Sequence, residues 1–190
     1  MEGRQQQQPV FLPLLPLVPD EEIEQRSRVL RIRIDSFCTR DLDAVRQFLS
    51  NNLPLTYSNS FLLQFITARE SRMLIARHAS TDAIVGIVGG RFVHSLADRR
   101  ICHGHIMILA VAEQCRRSGV GRILLQKLES KLRSSASATV KTSFLEVSHT
   151  NAAAIKFYQN EGYSIEKREK GYYNGKVDAL IMRKYSLATV

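Results

Sequence analysis

Residues 109–122 read LAVAEQCRRSGVGR and form the most informative stretch of the chain. An apolar run ends at Val111, and a helical pattern begins near Gly119, so an arginine and glycine turn lies between them. Glycines at the start of a helix let successive backbone N–H groups converge on one point, where the helix dipole also favours negative charge. The stretch therefore predicts a pyrophosphate-binding turn. The motif alone leaves open a glycine-rich helix start with solvated arginines.

The strand before this turn, His103–Val111, is apolar on both faces and is predicted to be central in a sheet. Its alternation places His105 on the same face as Leu109. Further upstream, the runs 73–79 and 84–94 are strand-like and are separated by a short polar turn. These two runs predict an antiparallel hairpin.

The N-terminal part of the chain changes character near residue 29. Residues 1–28 contain a Gln run, prolines and acidic residues, which predicts a mobile or partner-bound tail. Alternation from Val29 predicts the first strand. A helix capped by Thr39 follows, and a second helix is predicted over about residues 59–69, after a loop through 53–58.

Downstream of the turn, a helix is predicted over about residues 119–134 and a strand over 142–148. Asn151 then caps a helix that Gly162 ends, and two final strands flank Asn174 and Gly175. The predicted order is β-α-α-β-β-β-α-β-α-β-β, within one domain.

Composition excludes several classes of protein. The 190 residues hold 27 Lys and Arg against 18 Asp and Glu, with 44% hydrophobic residues, as in an ordinary globular protein. The longest apolar stretch near the N-terminus, 10–18, is interrupted by prolines and too short to span a bilayer. Three cysteines without metal-ligand or CxxC spacing argue against a zinc ribbon and a disulfide framework, and favour a reducing, cytoplasmic compartment. No motif accompanies the net charge of +9 that would indicate specific nucleic-acid binding.

The turn at 116–121, RRSGVG, resembles the phosphate loop of the GNAT superfamily of acetyl-CoA-dependent N-acetyltransferases, Gln/Arg-x-x-Gly-x-Gly/Ala after the fourth strand. The stretches 144–158, FLEVSHTNAAAIKFY, and 171–182, GYYNGKVDALIM, look like the N-terminal protein acetyltransferases, including bacterial enzymes that modify ribosomal proteins. Within that group, 53–61, LPLTYSNSF, and 105–109, HIMIL, most resemble the NatE-type catalytic subunit.

This resemblance covers about residues 30–186 and implies a GNAT domain over 29–187. The implied fold is α/β, with a mixed, mostly antiparallel twisted sheet of about seven strands flanked by about four helices. It also implies that acetyl-CoA is the cosubstrate and that the reaction requires no metal. A splayed strand would pair with the pantetheine arm of the coenzyme. The expected coenzyme contacts are Leu109, Ala110, Val111, Arg116, Arg117, Ser118, Gly119, Val120, Gly121, Arg122, Asn151 and Tyr158.

Three residues are candidates for the chemistry. Glu146 is the favoured general base, because it lies on an alternating strand and occupies the position of the catalytic glutamate of the resembled bacterial enzymes. In the NatE-type enzymes this position is a histidine, and the tyrosine that works with it is replaced here by His105, which shares or replaces the base role. Tyr158 is expected to protonate the leaving thiolate. A salt bridge, a core histidine and a packed tyrosine are the structural alternatives.

The acceptor is predicted to be the α-amine of a protein or peptide N-terminus. Such an amine is roughly one-seventh neutral at pH 7, whereas a lysine is about one in 2,500 neutral. An apolar slot would receive the peptide, with an auxiliary acetyltransferase subunit and the ribosome as further partners. Acetylation of lysines or small amines, and a non-catalytic CoA-binding, ribosome-associated adaptor, are the alternatives. The residues expected to line the slot are Leu53, Pro54, Tyr57, Tyr172 and Tyr173.

Overall fold

The computed structural model describes residues 30–98, 100–135 and 139–185, so the predicted tail over 1–28 lies outside the described residues. They form seven strands and four α-helices. The strands are β1 (Ile32–Ser36), β2 (Ser71–His78), β3 (Ile84–His94), β4 (Ile101–Val111), β5 (Thr139–Ser148), β6 (Ser164–Tyr173) and β7 (Val177–Tyr185). The helices are α1 (Leu42–Asn52), α2 (Asn59–Thr67), α3 (Val120–Ser135) and α4 (Ala152–Asn160).

One sheet contains all seven strands, in the order β1-β2-β3-β4-β5-β7-β6. Neighbouring strands are antiparallel except β4 and β5, which run parallel to each other. The predicted α/β class, strand number and mostly antiparallel sheet are therefore confirmed. No helix among the described residues is both long and apolar enough to cross a membrane.

Helix α3 covers one face of the sheet through buried leucines spaced four residues apart. Each leucine lies against a strand glycine, because a Cβ added to the glycine would come within 3.5 Å of the leucine side chain. Glycines thus let this helix approach the strands closely. The pairs are Gly86 with Leu124, Gly90 with Leu128, and Gly104 with Leu132.

Helices α1 and α2 pack against the sheet as well, and α2 lies on the face opposite α3. A Cβ on Gly89 would meet Phe65 of α2, whereas one on Gly90 would meet Leu128 of α3. The predicted cap of α1 is wrong. Thr39 begins a short 3₁₀ turn, and the Asp41 carboxylate accepts hydrogen bonds from the backbone N–H and the thiol of Cys38 at 3.1 and 3.0 Å. The capping interaction therefore begins one residue earlier than predicted.

A bulge in β4 changes which face its side chains occupy. Gly89 pairs with Ile108 but Gly90 pairs with Ile106, so Met107 is the extra residue. Gly104 points toward α3 and His105 therefore points away from it. Beyond the bulge the alternation is reversed, and the sequence-based placement of His105 with Leu109 on one face is wrong.

Predicted ends of the C-terminal elements are confirmed. The Asn151 side chain accepts a hydrogen bond from the Ala154 N–H at 3.1 Å and caps α4. Gly162 follows that helix with φ +89°, a left-handed conformation that suits glycine. Asn174 and Gly175 join β6 to β7 with φ +53° and +73°, as a tight hairpin turn requires.

Candidate active site

The central feature of the site is the separation of the parallel strands β4 and β5. Their pairing ends at His105 and Phe144, so residues 106–111 of β4 have no partner in β5. The other edge of β4 remains paired with β3 up to Val111. This leaves a backbone edge, including Leu109, Ala110 and Val111, facing an opening in the sheet. The geometry suits an extended ligand that pairs with the strand.

The predicted phosphate loop lies at the end of β4 and leads into α3. Arg117 and Gly119 both have left-handed φ, +65° and +85°. The Ser118 hydroxyl donates to the Cys115 carbonyl at 2.5 Å, which closes the turn. A Cβ on Gly119 would meet nothing within 4 Å, so the loop is open on that side. The first N–H groups of α3, from Val120 onward, have no acceptor within the helix, and this open, N–H-rich turn fits a phosphate group.

The three arginines of the loop differ in their surroundings. Arg117 is exposed, and Arg116 donates through Nε to the Val111 carbonyl at 3.3 Å. Arg122 donates through Nε to the buried carboxylate of Glu161 at 2.6 Å. Gln126 adds a bond to the same carboxylate at 3.2 Å. Arg122 therefore holds α3 to the end of α4, a structural contact that the prediction of a coenzyme ligand did not include.

His105 and Glu146 lie together at the inner end of the opening. The two atoms His105 Nε2 and Glu146 Oε2 are 2.7 Å apart. A carboxylate only accepts hydrogen bonds, so the shared proton belongs to Nε2 of the histidine. The ring stacks on Phe144 with centroids 4.5 Å apart and planes 6° apart. Arg183 pairs with Phe144 from the neighbouring strand β7, and its guanidinium carbon lies 5.2 Å from the centre of the phenyl ring.

These two side chains differ in exposure. The His105 side chain is 2% exposed, and its Nδ1 is buried with no hydrogen-bond partner among the residues described. The Glu146 side chain is 11% exposed. Only the carboxylate therefore has appreciable access to a molecule in the opening, and the imidazole lies behind it.

Tyr158 and Asn151 both belong to α4 and its cap. The Tyr158 side chain is fully buried, and its hydroxyl has no hydrogen-bond partner within the described ranges. Burial, and then the nearby Tyr57, raise the pKa of Tyr158. The phenol thus stays protonated near neutral pH, as a proton donor must. Asn151 is buried at the helix start, where its amide oxygen serves as the cap.

The predicted acceptor residues come from the connection between α1 and α2 and from the end of β6. Leu53 and Tyr57 are buried and Pro54 is exposed in the connection from α1 to α2. Tyr172 and Tyr173 end β6, with their rings edge-to-face at 5.0 Å. Burial raises the pKa of both tyrosines, and the negative charge of Glu146 raises it further. The hairpin tyrosines therefore lie near the carboxylate.

Tyr57 connects the two sides of the site. It stacks on Phe61 with centroids 5.2 Å apart, and burial raises its pKa. Its charge would also raise the pKa of Tyr158 and Tyr173, so all three hydroxyls lie within electrostatic reach of one another. The structure thus brings together residues that lie over 100 positions apart in sequence.

Sequence reasoning missed the contacts that support these groups. Phe144 lies between His105 and Arg183, and Asp178 accepts two hydrogen bonds from β6. The pairing register between β4 and β5 would have placed Phe144 beside His105. Cys115, beside the phosphate loop, is buried, and burial raises the pKa of its thiol. That environment suits a structural cysteine rather than a nucleophile.

Comparison with known proteins adds an independent finding. Residues 42–163 match the model of the acetyltransferase (GNAT) family. The chain is 31% identical over 152 residues to an uncharacterized N-acetyltransferase of Methanocaldococcus jannaschii, covering 80% of this chain and 90% of that protein. It is also 31% identical over 156 residues to the N-terminal acetyltransferase B complex catalytic subunit naa20 of Schizosaccharomyces pombe, covering 77% of this chain and 83% of that protein.

The fold is similar to a solved structure as well. The crystal structure of Arabidopsis thaliana NAA60 in complex with acetyl-CoA superposes with a TM-score of 0.70 and 18% identity, covering 82% of this chain and 98% of that chain. The strand separation, the loop before α3 and the family match agree with one another. The chain belongs to the GNAT family of acetyltransferases, the acetyl-CoA-dependent enzymes that its phosphate loop resembles.

Proposed function

We propose that the chain is a protein N-α-acetyltransferase, which transfers the acetyl group of acetyl-CoA to the free α-amine of a protein or peptide N-terminus by direct attack. One observation carries the proposal: a carboxylate held by a buried histidine lies at the inner end of the opening between β4 and β5. The similarity to naa20, an N-terminal acetyltransferase subunit by name, supports the choice of acceptor.

The proposed binding site for acetyl-CoA, the acetyl donor, consists of backbone groups more than of side chains. Acetyl-CoA, when bound, supplies the acetyl group as a thioester. The backbone of Leu109–Val111 would bind its extended arm, and the N–H groups of Gly119–Gly121 would bind its diphosphate. Arg117 is exposed at this turn and adds positive charge.

Glu146 is the proposed general base. It has the greater access to the opening, and its other carboxylate oxygen, Oε1, would accept the proton of an incoming ammonium or a bridging water. His105 positions that carboxylate through its Nε2–H. An α-amine needs only this modest help, since about one-seventh of it is neutral at pH 7.

Tyr158 is the proposed general acid. Its hydroxyl is buried and has no partner among the described residues, so its proton is not committed to another protein group. A proton donated by the hydroxyl would neutralise the departing thiolate. Tyr57, Tyr172 and Tyr173 would line the acceptor slot together with Leu53 and Pro54.

The compartment and the partners are also proposals. Among the described residues, no disulfide involves Cys38, Cys102 or Cys115, which supports a reducing compartment such as the cytoplasm. The named relative naa20 is the catalytic subunit of a complex, which supports an auxiliary subunit for this chain. The ribosome remains a predicted partner, and residues 1–28 remain predicted to be a mobile or partner-bound tail.

A peptide panel tests the proposed function. Purified protein is incubated with acetyl-CoA and peptides that differ in their first residue, each made with a free and with a formylated α-amine. Internal lysines are present in half of the peptides. We expect acetylation only of free α-amines, with apolar first residues preferred, as measured by mass spectrometry. Labelling that survives formylation and requires lysine would contradict the proposal, and binding of acetyl-CoA without transfer would favour the adaptor.

A further inference from the structure

The hairpin that carries Tyr172 and Tyr173 contains an irregularity beside Asp178. Glu169 pairs with Ala179 and Tyr173 pairs with Val177, so three residues of β6, 170–172, lie opposite Asp178 alone. Such a bulge removes regular ladder bonds and redirects the side chains that follow it. Tyr172 lies in this bulge and Tyr173 directly follows it, so the bulge sets the direction of both side chains.

The Asp178 carboxylate replaces the missing ladder bonds. Its Oδ1 accepts from the Gly171 N–H at 2.8 Å, and its Oδ2 accepts from the Arg168 guanidinium at 2.7 Å. The first of these bonds, followed by the Arg168 bond, lowers the pKa of Asp178. Gly171 has φ +61°, and a Cβ there would lie 3.3 Å from the Gly175 carbonyl oxygen. The carboxylate thus holds the bulge at its tightest point.

Asp178 also reaches the strand that carries the catalytic carboxylate. Its backbone carbonyl accepts from the His149 N–H at 3.1 Å, just beyond the end of β5. Val147 and Ser148 of β5 pair with the residues that follow Asp178 in β7. One residue therefore connects the turn after Glu146 with the hairpin tyrosines.

We propose that Asp178 is a positioning residue for the acceptor: through its bond to the Gly171 N–H it fixes the Tyr172–Tyr173 wall at the distance from Glu146 that an incoming N-terminus requires. The inference rests on the proposed function of the site. The hydrogen bonds of the Asp178 carboxylate go to Arg168 and Gly171 of the hairpin and not to the loop at 116–121 that would hold the coenzyme, so it acts on the acceptor and not on the donor.

Steady-state kinetics of two Asp178 variants test this role. Asp178→Ala removes both bonds, whereas Asp178→Asn keeps a neutral oxygen for the Gly171 N–H and loses the charge. Bonds to charged groups are roughly twice as strong as neutral ones. We expect KM for a peptide acceptor to rise about tenfold in Asp178→Ala and about threefold in Asp178→Asn, with KM for acetyl-CoA unchanged.

Asp98 provides a matched control at the opposite end of the sheet. It accepts from the Arg100 N–H at 2.9 Å and from the Arg100 guanidinium at 3.1 Å, which is the same combination of bonds. Asp98→Ala and Asp98→Asn should leave both KM values unchanged.

Amide hydrogen exchange should quicken over residues 168–176 in Asp178→Ala and stay the same in α3.

Each outcome decides the matter. A peptide KM within twofold of wild type in the Ala variant, or a parallel rise of KM for both substrates in the two Asp178 variants, overturns the inference. If Asp178→Ala does not fold, the threefold change in Asp178→Asn decides alone. A wild-type protein that acetylates no peptide α-amine overturns the proposed function and this inference together, whereas an active wild type with unchanged variants overturns only the inference.

Discussion

His105 and Glu146 show how burial assigns roles within a pair of titratable residues. The two side chains share one hydrogen bond of 2.7 Å, but the imidazole is nearly inaccessible and the carboxylate is not. The stack of His105 on Phe144 fixes the ring plane, so the Nε2–H points to one carboxylate oxygen. Preorganisation of this kind reduces the motion that the base needs before it accepts a proton.

A double-mutant cycle tests this assignment. Glu146→Gln should lower kcat about 100-fold or more, because it removes the base, while His105→Phe, which keeps the stack on Phe144, should lower it about tenfold. The double variant should be no slower than Glu146→Gln, since His105 acts only through the carboxylate. The measurement is steady-state transfer to an N-terminal peptide over pH 6 to 9.

His103 is the matched control, two residues earlier in the same strand. Its Nδ1 lies 2.8 Å from the Thr142 hydroxyl, away from Glu146, and burial lowers its pKa. His103→Phe should leave kcat unchanged. A larger loss in His105→Phe than in Glu146→Gln would instead make the histidine the base.

Among the elements, the packing of α3 on the sheet depends on the glycines of β3. Gly90 lies opposite Ile106, beside the bulge, and a Cβ there would lie only 2.5 Å from the His105 carbonyl oxygen. Close packing at this point sets both the position of α3 and the backbone position of the catalytic histidine. The position of α3 and the backbone position of His105 are therefore coupled through Gly90, which has no side chain.

Gly90→Ala should therefore destabilise the protein by about 2 kcal/mol and lower the melting temperature by about 4–8 °C. Gly104→Ala is the comparison, because its Cβ would meet the rotatable Ser143 hydroxyl at 3.1 Å and should cost less than about 1 kcal/mol. Thermal denaturation followed by circular dichroism measures both. Equal melting temperatures for Gly90→Ala and wild type would show that α3 is not held in this way.

The order of elements was predictable from local pattern, whereas the site was predictable only in part. Leucines every four residues in α3, Asn151 as a cap and the Asn174 and Gly175 turn each act through neighbours in sequence, and all three are present in the structure. The bulge at Met107 depends on pairing with β3, which alternation along one strand does not reveal. For this reason the facing of His105 was predicted wrongly.

On the scale of the whole molecule, the distribution of charge matters more for binding an anionic coenzyme than the net charge of +9. Arg117, Lys127, Lys131 and Arg133 are exposed near or along α3. Glu129, the acidic residue of that helix, is buried and accepts from the Tyr163 hydroxyl at 2.7 Å and from Lys184 at 2.9 Å. A count of charges along the sequence includes Glu129 as a negative charge that offsets the basic residues of α3. The fold buries Glu129, so this negative charge is not on the surface. The resulting positive field favours an anionic coenzyme.

Binding of acetyl-CoA to the loop before α3 underlies every step of the proposed reaction. Gly119 has φ +85° and open space around its Cα, so Asp and Asn both fit there and tolerate its conformation about equally. The two substitutions differ only in charge. Comparing them separates electrostatic binding of a diphosphate from a general effect on the fold.

Isothermal titration calorimetry with acetyl-CoA on wild type, Gly119→Asn and Gly119→Asp makes this comparison directly. We expect wild type to bind, Gly119→Asn to bind within about tenfold of it, and Gly119→Asp to bind at least about 100-fold more weakly, because its carboxylate would repel the diphosphate at close range. Equal melting temperatures of the two variants serve as the control. Absence of binding to wild type, or equal affinities for the Asn and Asp variants, would contradict the account.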